Sequence, residues 1–121
     1  MHVLVCEDDV SVRTVLGRML ERLGCRVTQA EHGGEALAKY LIDPADVVLT
    51  DMVMPEMDGV ETIKAFRKRH PQVRLVAMSG GAMAGAVLYL NLAMKLGASA
   101  VLPKPFSVEE LTRALEIPNL H

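Results

Sequence analysis

Cysteine is scarce in this chain. Cys6 and Cys25 are the two cysteines among 121 residues, and they do not form a Cys-x-x-C pair. Both lie in apolar runs, which is typical of reduced thiols in a protein core. The chain also lacks a signal-peptide pattern and any apolar run long enough to cross a bilayer. These absences exclude a disulfide-stapled scaffold and favour a cytoplasmic protein that does not associate with membranes.

Positive charge is not concentrated either. Lys and Arg number 13 against 15 Asp and Glu, and the basic residues are scattered except at Arg67-Lys68-Arg69. Because basic side chains are favourable at the carboxyl end of a helix, that cluster indicates a helix end rather than a nucleic-acid contact. The four histidines show no metal-ligand spacing and are expected at the surface. We therefore expect no nucleic-acid binding by this chain.

The length and composition of the chain are those of one globular domain. Half of its residues are hydrophobic and 23% are charged. No linker, internal repeat or low-complexity segment interrupts it. The sequence predicts a single domain over residues 1–121, with no output domain.

Short apolar runs alternate five times with segments of helical periodicity. The predicted strands are His2–Cys6, Arg26–Ala30, Asp46–Thr50, Val73–Met78 and Ser99–Leu102. Several are continuously apolar, which is typical of strands buried on both faces of a parallel sheet. Since parallel strands need crossover helices, this alternation predicts a five-stranded, doubly wound α/β sandwich.

The helices between these runs carry start and stop signals. The first shows apolar spacing from Val12 to Leu23, through Val15 and Leu16, before Gly24. The others are predicted at 34–42, from Asp58 to before Pro71, between Gly81 and Gly97, and from Ser107 to near Pro118. Ser107 and Glu110 form a capping-box pattern.

Charged and polar residues stand at the ends of four predicted strands. These are Glu7 and Asp8 after the first, Asp51 after the third, Ser79 after the fourth and Lys104 after the fifth. Ligands of open parallel sheets bind beyond the carboxyl ends of the strands, so we expect these residues at one edge. Two like charges about 4 Å apart cost about 4 kcal/mol at an effective dielectric near 20, so the cluster needs compensation. Lys104 and a hard divalent cation such as Mg²⁺ would supply it. The carboxylate of Asp51 is then suited to attack phosphorus.

The chain resembles the receiver domains of bacterial response regulators. The matching features, in order, are the acid pair Glu7-Asp8, Asp51 with its turn Met54 to Gly59, Ser79, and Lys104-Pro105-Phe106. The resemblance spans nearly the whole chain. It implies a flavodoxin-like (βα)5 sandwich with strand order 2-1-3-4-5 and a cis peptide bond before Pro105.

The resemblance also implies a function. Asp51 would accept a phosphoryl group from the phosphohistidine of a sensor histidine kinase or phosphotransfer protein, and Ser79 and Lys104 would contact that group. The implied Mg²⁺ ligands are Asp8, Asp51 and the backbone carbonyl of Val53, with Glu7 acting through water. Such a chain would catalyse only its own phosphorylation and dephosphorylation, and would not be an enzyme in the ordinary sense.

Two features depart from the family pattern. Receiver domains commonly carry Tyr or Phe three residues before the lysine, where this chain has Val101. The usual inward movement of an aromatic ring therefore cannot occur as such. In the fourth helix Lys95 is the single charge, and helical periodicity predicts that Leu88 and Leu92 are exposed. One interpretation is that these leucines form a surface that contacts a partner or forms a weak dimer of an otherwise monomeric protein. The other is that they are ordinary isolated surface leucines.

Other function classes remain as alternatives. A pseudo-receiver would dock partners without being phosphorylated, but the complete acid, serine and lysine set disfavours it. An aspartyl phosphatase would carry an Asp-x-Asp pair after its first strand. A flavin binder would carry a phosphate loop there, whereas Glu7-Asp8-Asp9 repels phosphate. A phosphoacceptor switch is the leading hypothesis, and the pseudo-receiver is the alternative.

Overall fold

A computed structural model describes residues 1–52, 59–80 and 86–118, including all of their side chains except those of residues 86 and 87. Strands and helices alternate along the chain. The strands are β1 His2–Cys6, β2 Arg26–Ala30, β3 Val47–Asp51, β4 Arg74–Gly80 and β5 Ala100–Lys104. The helices are α1 Val10–Arg22, α2 Gly33–Ile42, α3 Gly59–Arg69, α4 Ala86–Leu96 and α5 Val108–Leu115. The predicted alternation is confirmed.

The strands form one parallel sheet in the order β2-β1-β3-β4-β5. This confirms the order 2-1-3-4-5. The chain winds outward in opposite directions from β1 and β3, so the winding reverses between these two strands. Doubly wound sheets bind their ligands in the crevice at such a reversal, beyond the carboxyl ends of the strands.

Buried clusters cover both faces of the sheet, which explains the continuously apolar strands. Alternate strand residues point to opposite faces, so Leu4 and Val48 lie in one cluster while Val3 and Val47 lie in the other. Helices α2, α3 and α4 complete the first cluster with Ala36, Leu37, Ile63, Phe66 and Ala93. Helices α1 and α5 complete the second with Leu16, Leu20, Leu111, Ala114 and Leu115. Cys6 and Cys25 are buried and are not joined in a disulfide, as predicted.

Helix α1 begins at an aspartate that caps it. A carboxylate oxygen of Asp9 accepts hydrogen bonds from the backbone N–H groups of Ser11 and Val12, at 2.8 and 3.2 Å. Its buried residues are Arg13, Leu16, Gly17 and Leu20. Val15, which the apolar spacing placed on the buried stripe, is 56% exposed. The buried face of α1 therefore includes Arg13 in place of Val15, and this arginine lies on the side of the helix that faces the core.

The strand ends differ from the prediction in a consistent way. β3 runs one residue further than predicted, to Asp51, and β4 and β5 run two further, to Gly80 and Lys104. Backbone pairing explains this, because Ser79 pairs with Pro103 and Gly80 with Lys104 whatever the polarity of their side chains. Asp51, Ser79 and Lys104, which the sequence placed after the strands, are therefore held within the hydrogen-bonded ladders of the sheet.

Helix α4 is apolar on both its inner and its outer side. Leu90 and Ala93 are buried against the sheet, whereas Leu88 is 73% exposed and Leu92 is 38% exposed. The predicted exposure of these two leucines is confirmed. α4 has 11 residues, and no helix in the described part of the chain is long and apolar enough to cross a membrane.

His2 is buried rather than at the surface. Its ring lies between the Thr28 hydroxyl, 2.7 Å from Nε2, and the Pro44 carbonyl, 3.1 Å from Nδ1. It is 5% exposed. The expectation of surface histidines was wrong here, because a neighbouring strand and a loop provide polar partners for both ring nitrogens.

Candidate functional site

Three carboxylates converge where the winding of the sheet reverses. Glu7, Asp8 and Asp51 each place one oxygen within 4.8 Å of the others. The first two directly follow β1, and Asp51 ends β3, which pairs with β1. Glu7 is 1% and Asp51 is 8% exposed, while Asp8 is open to solvent. The fold therefore brings together three acidic residues that the sequence assigned to one edge.

Lys104 reaches this group from the end of β5. Its ammonium nitrogen Nζ lies 3.0 Å from Oε1 of Glu7 and 3.5 Å from Oδ2 of Asp51. The peptide bond between Lys104 and Pro105 is cis, as the family resemblance implies. Burial alone would lower the pKa of Lys104, but the hydrogen bond to Glu7 and the charge of Asp51 raise it above its ordinary value. The ammonium therefore stays charged at neutral pH.

One lysine does not neutralise three carboxylates. Burial raises the pKa of Glu7, the hydrogen bond from Lys104 lowers it, and the charge of Asp51 raises it again, with a net pKa of about 7. Glu7 therefore takes up a proton far more readily than an exposed glutamate. An excess of negative charge at a partly buried site favours the binding of a cation.

We expect the free energy of unfolding of the metal-free protein to fall as the pH rises from 4.5 to about 7. The pKa of Glu7 is raised from 4.5 to about 7 on folding. Its stabilising contribution is fully present below pH 4.5 and is lost as the pH rises through about 7. The full loss should be roughly 3 kcal/mol, since the pKa rises from 4.5 to about 7 and one pKa unit corresponds to about 1.4 kcal/mol. Urea unfolding in a chelator at a series of pH values measures it.

The matched control for this prediction is Glu7→Gln. Glutamine keeps the shape of the protonated side chain but cannot ionise, so the difference between wild type and variant isolates Glu7. Glu35, Asp43 and Glu110 have lowered pKa values, so their contributions change below this pH window and cancel in the difference. Parallel pH profiles for the two proteins would contradict the prediction.

The family model of the response regulator receiver domain matches residues 3–116 of the chain. The chain belongs to this family. It is 37% identical over 114 residues to the DNA-binding transcriptional regulator NtrC of Salmonella typhimurium, an alignment that covers 94% of this chain and 24% of NtrC. This receiver domain therefore spans about a quarter of the length of that relative.

Solved receiver structures have the same fold. A response regulator receiver domain protein from Clostridium thermocellum superposes with a TM-score of 0.87 at 29% identity, over 95% of this chain and 90% of that one. The chemotaxis protein CheY4 of Vibrio cholerae superposes with a TM-score of 0.83 at 30% identity, over 95% of both chains. The predicted family and the flavodoxin-like fold class are thus confirmed.

Of the two remaining predicted site residues of this receiver domain, the structure describes Ser79 but not Val53. Ser79 is buried at the end of β4, where it pairs with Pro103, next to the pair of Gly80 with Lys104. It therefore lies at the same edge of the sheet as the carboxylates. Val53, whose backbone carbonyl the resemblance assigns to Mg²⁺, lies outside the described residues, as does the rest of segment 53–58.

The carboxylate cluster fits the cation that receiver domains bind in an acidic pocket. All three donors are oxygens, and Mg²⁺ is a hard cation that prefers a few carboxylates completed by water and phosphate. Among the residues that the structure describes, no Cys or His joins the cluster, which disfavours a soft metal. The donor set and its excess charge therefore suit Mg²⁺.

Sequence reasoning did not foresee the contacts of two residues that shape this site: it placed Gly59 only in the turn after Asp51, and it did not consider Arg13. Gly59, the first residue of α3, donates its backbone N–H to the Met52 carbonyl at 3.1 Å and packs directly against the end of β3. Arg13 donates a hydrogen bond to the backbone carbonyl of Glu7 at 2.7 Å. The only signal for Arg13 is its position three and four residues before Leu16 and Gly17, on the buried side of α1.

Proposed function

We propose that this receiver domain is a phosphoacceptor switch in which Asp51 receives a phosphoryl group from the phosphohistidine of a sensor histidine kinase or phosphotransfer protein. The observation that carries the proposal is the position of the Asp51 carboxylate. It lies at the winding reversal, within 4.8 Å of two other acids and 3.5 Å from the Lys104 ammonium. Membership of the receiver family supports it.

In the transfer step an oxygen of Asp51 forms a bond to phosphorus while the phosphorus–nitrogen bond of the donor breaks. The electron pair of that bond stays on the imidazole nitrogen, so the product is a mixed anhydride of aspartate and phosphate. Phosphoryl transfer depends mainly on positioning and on stabilisation of charge on the transferred oxygens. Asp51 is held for this role in the ladder, since its pairing partner is Met78 in β4.

The neighbouring residues have separate roles in the proposal. Lys104 pairs with a phosphoryl oxygen, and Ser79 donates a hydrogen bond to another. Asp8 and Asp51 hold Mg²⁺ directly, with Glu7 acting through water. Mg²⁺, when bound, supplies positive charge that offsets the charge of the phosphoryl oxygens. Because Lys104 contacts both Glu7 and Asp51 before transfer, its ammonium is already oriented toward the acceptor.

The test is direct phosphorylation of the purified protein. Wild type is incubated with Mg²⁺ and acetyl phosphate, and its intact mass is followed over time. We expect the mass of one phosphoryl group to be gained, to depend on Mg²⁺, and to map to the peptide that contains Asp51. A chain that binds Mg²⁺ but gains no mass, from acetyl phosphate or from a phosphohistidine donor, would be a pseudo-receiver that acts through docking alone.

We further propose that the exposed apolar side of α4 contacts a downstream protein or a second copy of the chain. Leu88 and Leu92 are exposed on a helix whose single charged side chain is Lys95. With Val101 at the position usually held by an aromatic ring, the output must run through other residues. The chain itself would be a monomer or a weak dimer.

We expect Leu88→Asp to weaken that contact, because a desolvated carboxylate is costly at an apolar interface. Leu41→Asp is the matched control, since Leu41 is 75% exposed on α2. The elution mass and partner binding of the phosphorylated protein are measured for both variants. Identical behaviour of the two would assign Leu88 to ordinary surface.

A further inference from the structure

Arg13 is a buried arginine that faces the core side of α1. The residue is 9% exposed. Its Nη1 donates a hydrogen bond of 2.7 Å to the backbone carbonyl of Glu7, and this bond is itself buried. Arginine is rarely buried without a polar partner, because its charge cannot be removed and its five donors need acceptors. The carbonyl of Glu7 is the closest acceptor that the structure gives it.

The acceptor of the hydrogen bond from Arg13 is the peptide group that leads from β1 into the carboxylate cluster. The ladder between β1 and β3 ends at Cys6, which pairs with Thr50. The backbone N–H of Glu7 still donates to the Ala30 carbonyl at 3.0 Å, but its own carbonyl lies beyond the last ladder pair. That carbonyl belongs to the peptide that joins Glu7 to Asp8. Its orientation therefore affects two of the three carboxylates in the cluster.

The other side of Asp8 is also held by the start of α1. The backbone carbonyl of Asp9 accepts from the N–H of Arg13 at 2.9 Å, and the Asp9 side chain caps the helix. Arg13 thus holds the segment at two points, with its side chain at Glu7 and its backbone at Asp9. Asp8 lies between these points, and its carboxylate faces the cluster.

The second contact of the guanidinium is weaker. Nη2 lies 3.8 Å from Oε1 of Glu31, whose side chain is 66% exposed. Exposed ion pairs at this distance contribute little to stability. The bond to the Glu7 carbonyl is therefore the contact by which Arg13 acts on the site.

We propose that Arg13 is a positioning residue that orients the Glu7–Asp8 peptide and thereby sets the affinity of the carboxylate cluster for a divalent cation. Arg13 contacts neither the cation nor the phosphoryl group. The inference rests on the proposed function for its biological meaning, but cation binding can be measured without any phosphorylation. Residues that orient metal ligands change metal affinity by roughly 10- to 100-fold when they are replaced.

The test compares three variants of the full chain. Arg13→Met removes every donor but keeps an unbranched side chain, Arg13→Lys keeps the charge and a donor, and Arg18→Met removes the charge of an exposed arginine on the same helix. Mg²⁺ binding is titrated by calorimetry, and unfolding in a chelator is measured separately. We expect the Kd for Mg²⁺ to rise about tenfold or more in Arg13→Met, to rise less in Arg13→Lys, and to stay within twofold in Arg18→Met.

The Mg²⁺ dependence of phosphorylation provides a second measurement. It would not change in the same way if Arg13 only stabilised the fold. We expect the Mg²⁺ concentration for half-maximal rate to rise in Arg13→Met, while the rate at saturating Mg²⁺ falls much less. If Arg13→Met does not fold, Arg13→Lys carries the test. A folded Arg13 variant whose Kd for Mg²⁺ stays within twofold of wild type would overturn the proposal. A wild type that binds Mg²⁺ without being phosphorylated would instead refute the phosphoacceptor function and leave this inference standing.

Discussion

Replacing Asp51 by Asn is expected to abolish phosphorylation while making the metal-free protein more stable. An amide has no anionic oxygen that can attack phosphorus, so the mass gain from acetyl phosphate should disappear. The same replacement removes a charge that faces Glu7 and Asp8 within 4.8 Å. Loss of function and gain of stability should therefore occur in one variant.

The expected gain in stability follows from the balance of charges. Asp51 is repelled by two carboxylates and attracted by one ammonium, which lies at 3.5 Å. At an effective dielectric near 20 each repulsion amounts to about 3.5 kcal/mol and the attraction to about 5 kcal/mol, so the net effect is a repulsion of about 2 kcal/mol. We expect Asp51→Asn to raise the free energy of unfolding by about 1 to 2 kcal/mol when Glu7 is ionised. The gain should shrink as the pH falls below about 7, where Glu7 takes up a proton.

Mg²⁺ should reverse the order of stability of wild type and Asp51→Asn. An ion that binds the folded state stabilises it in proportion to the logarithm of the ion concentration over Kd. Asp51→Asn removes one of the carboxylates proposed to hold Mg²⁺, so the variant should gain less. Urea unfolding in chelator and in saturating Mg²⁺ measures both effects. We expect the variant to be more stable than wild type in chelator and less responsive to Mg²⁺.

The control for this prediction is Asp9→Asn. It removes a neighbouring carboxylate but keeps the cap of α1, because asparagine is as good an N-cap as aspartate. Phosphorylation should persist in this variant, and its stability should change by less than about 0.5 kcal/mol. Phosphorylation of Asp51→Asn at the wild-type rate would place the acceptor on another residue.

The general plan of this domain could be predicted because its strands are buried on both faces. Continuous apolar runs and capping patterns such as Ser107 with Glu110 are local signals, and the structure contains both hydrogen bonds of that capping box. The ends of β3, β4 and β5 were less predictable. Pairing with a neighbouring strand extends them through polar residues, and that pairing depends on distant parts of the chain.

The polar residues of the interior were harder to predict for a related reason. Hydrophobic periodicity scores Arg13 and His2 as surface residues because it considers only their own polarity. Each is buried because a partner from another element satisfies it: the Glu7 carbonyl for Arg13, and Thr28 and Pro44 for His2. A single sequence contains no signal for such tertiary hydrogen bonds. The acidic edge was predictable because its residues follow strand ends, whose relative placement the fold determines.

Gly59 illustrates another limit of sequence reasoning. Glycine in a turn usually signals a positive φ angle, as at Gly24 and Gly97. At Gly59 the reason is a close approach of two backbones. A Cβ there would lie 2.3 Å from the Cα of Met52 and 2.6 Å from the carbonyl oxygen of Asp51. Both atoms belong to the main chain at the buried end of β3, so a change of side-chain rotamer cannot relieve the contact.

Gly59→Ala is therefore expected to destabilise the fold by about 3 kcal/mol, at the upper end of the range for overpacking. The better helix propensity of alanine, worth about 1 kcal/mol, offsets part of the clash but does not remove it. The first turn of α3 must move away from β3, which strains the hydrogen bond from the Gly59 N–H to the Met52 carbonyl. Because Asp51 and Met52 form that strand end, we expect Mg²⁺ binding to weaken as well.

Gly80→Ala is the matched control, because a Cβ at Gly80 meets no atom of the described residues within 4 Å. Both substitutions restrict the unfolded chain equally, so the difference between them reports the contact with β3, reduced by the gain in helix propensity at position 59. Urea unfolding followed by circular dichroism gives that difference, with Mg²⁺ titration as the second measurement. Equal stability of the two variants would mean that β3 and α3 do not approach each other at Gly59. A loss confined to Gly59→Ala would show that one missing side chain allows α3 to pack against the strand that carries the acceptor carboxylate.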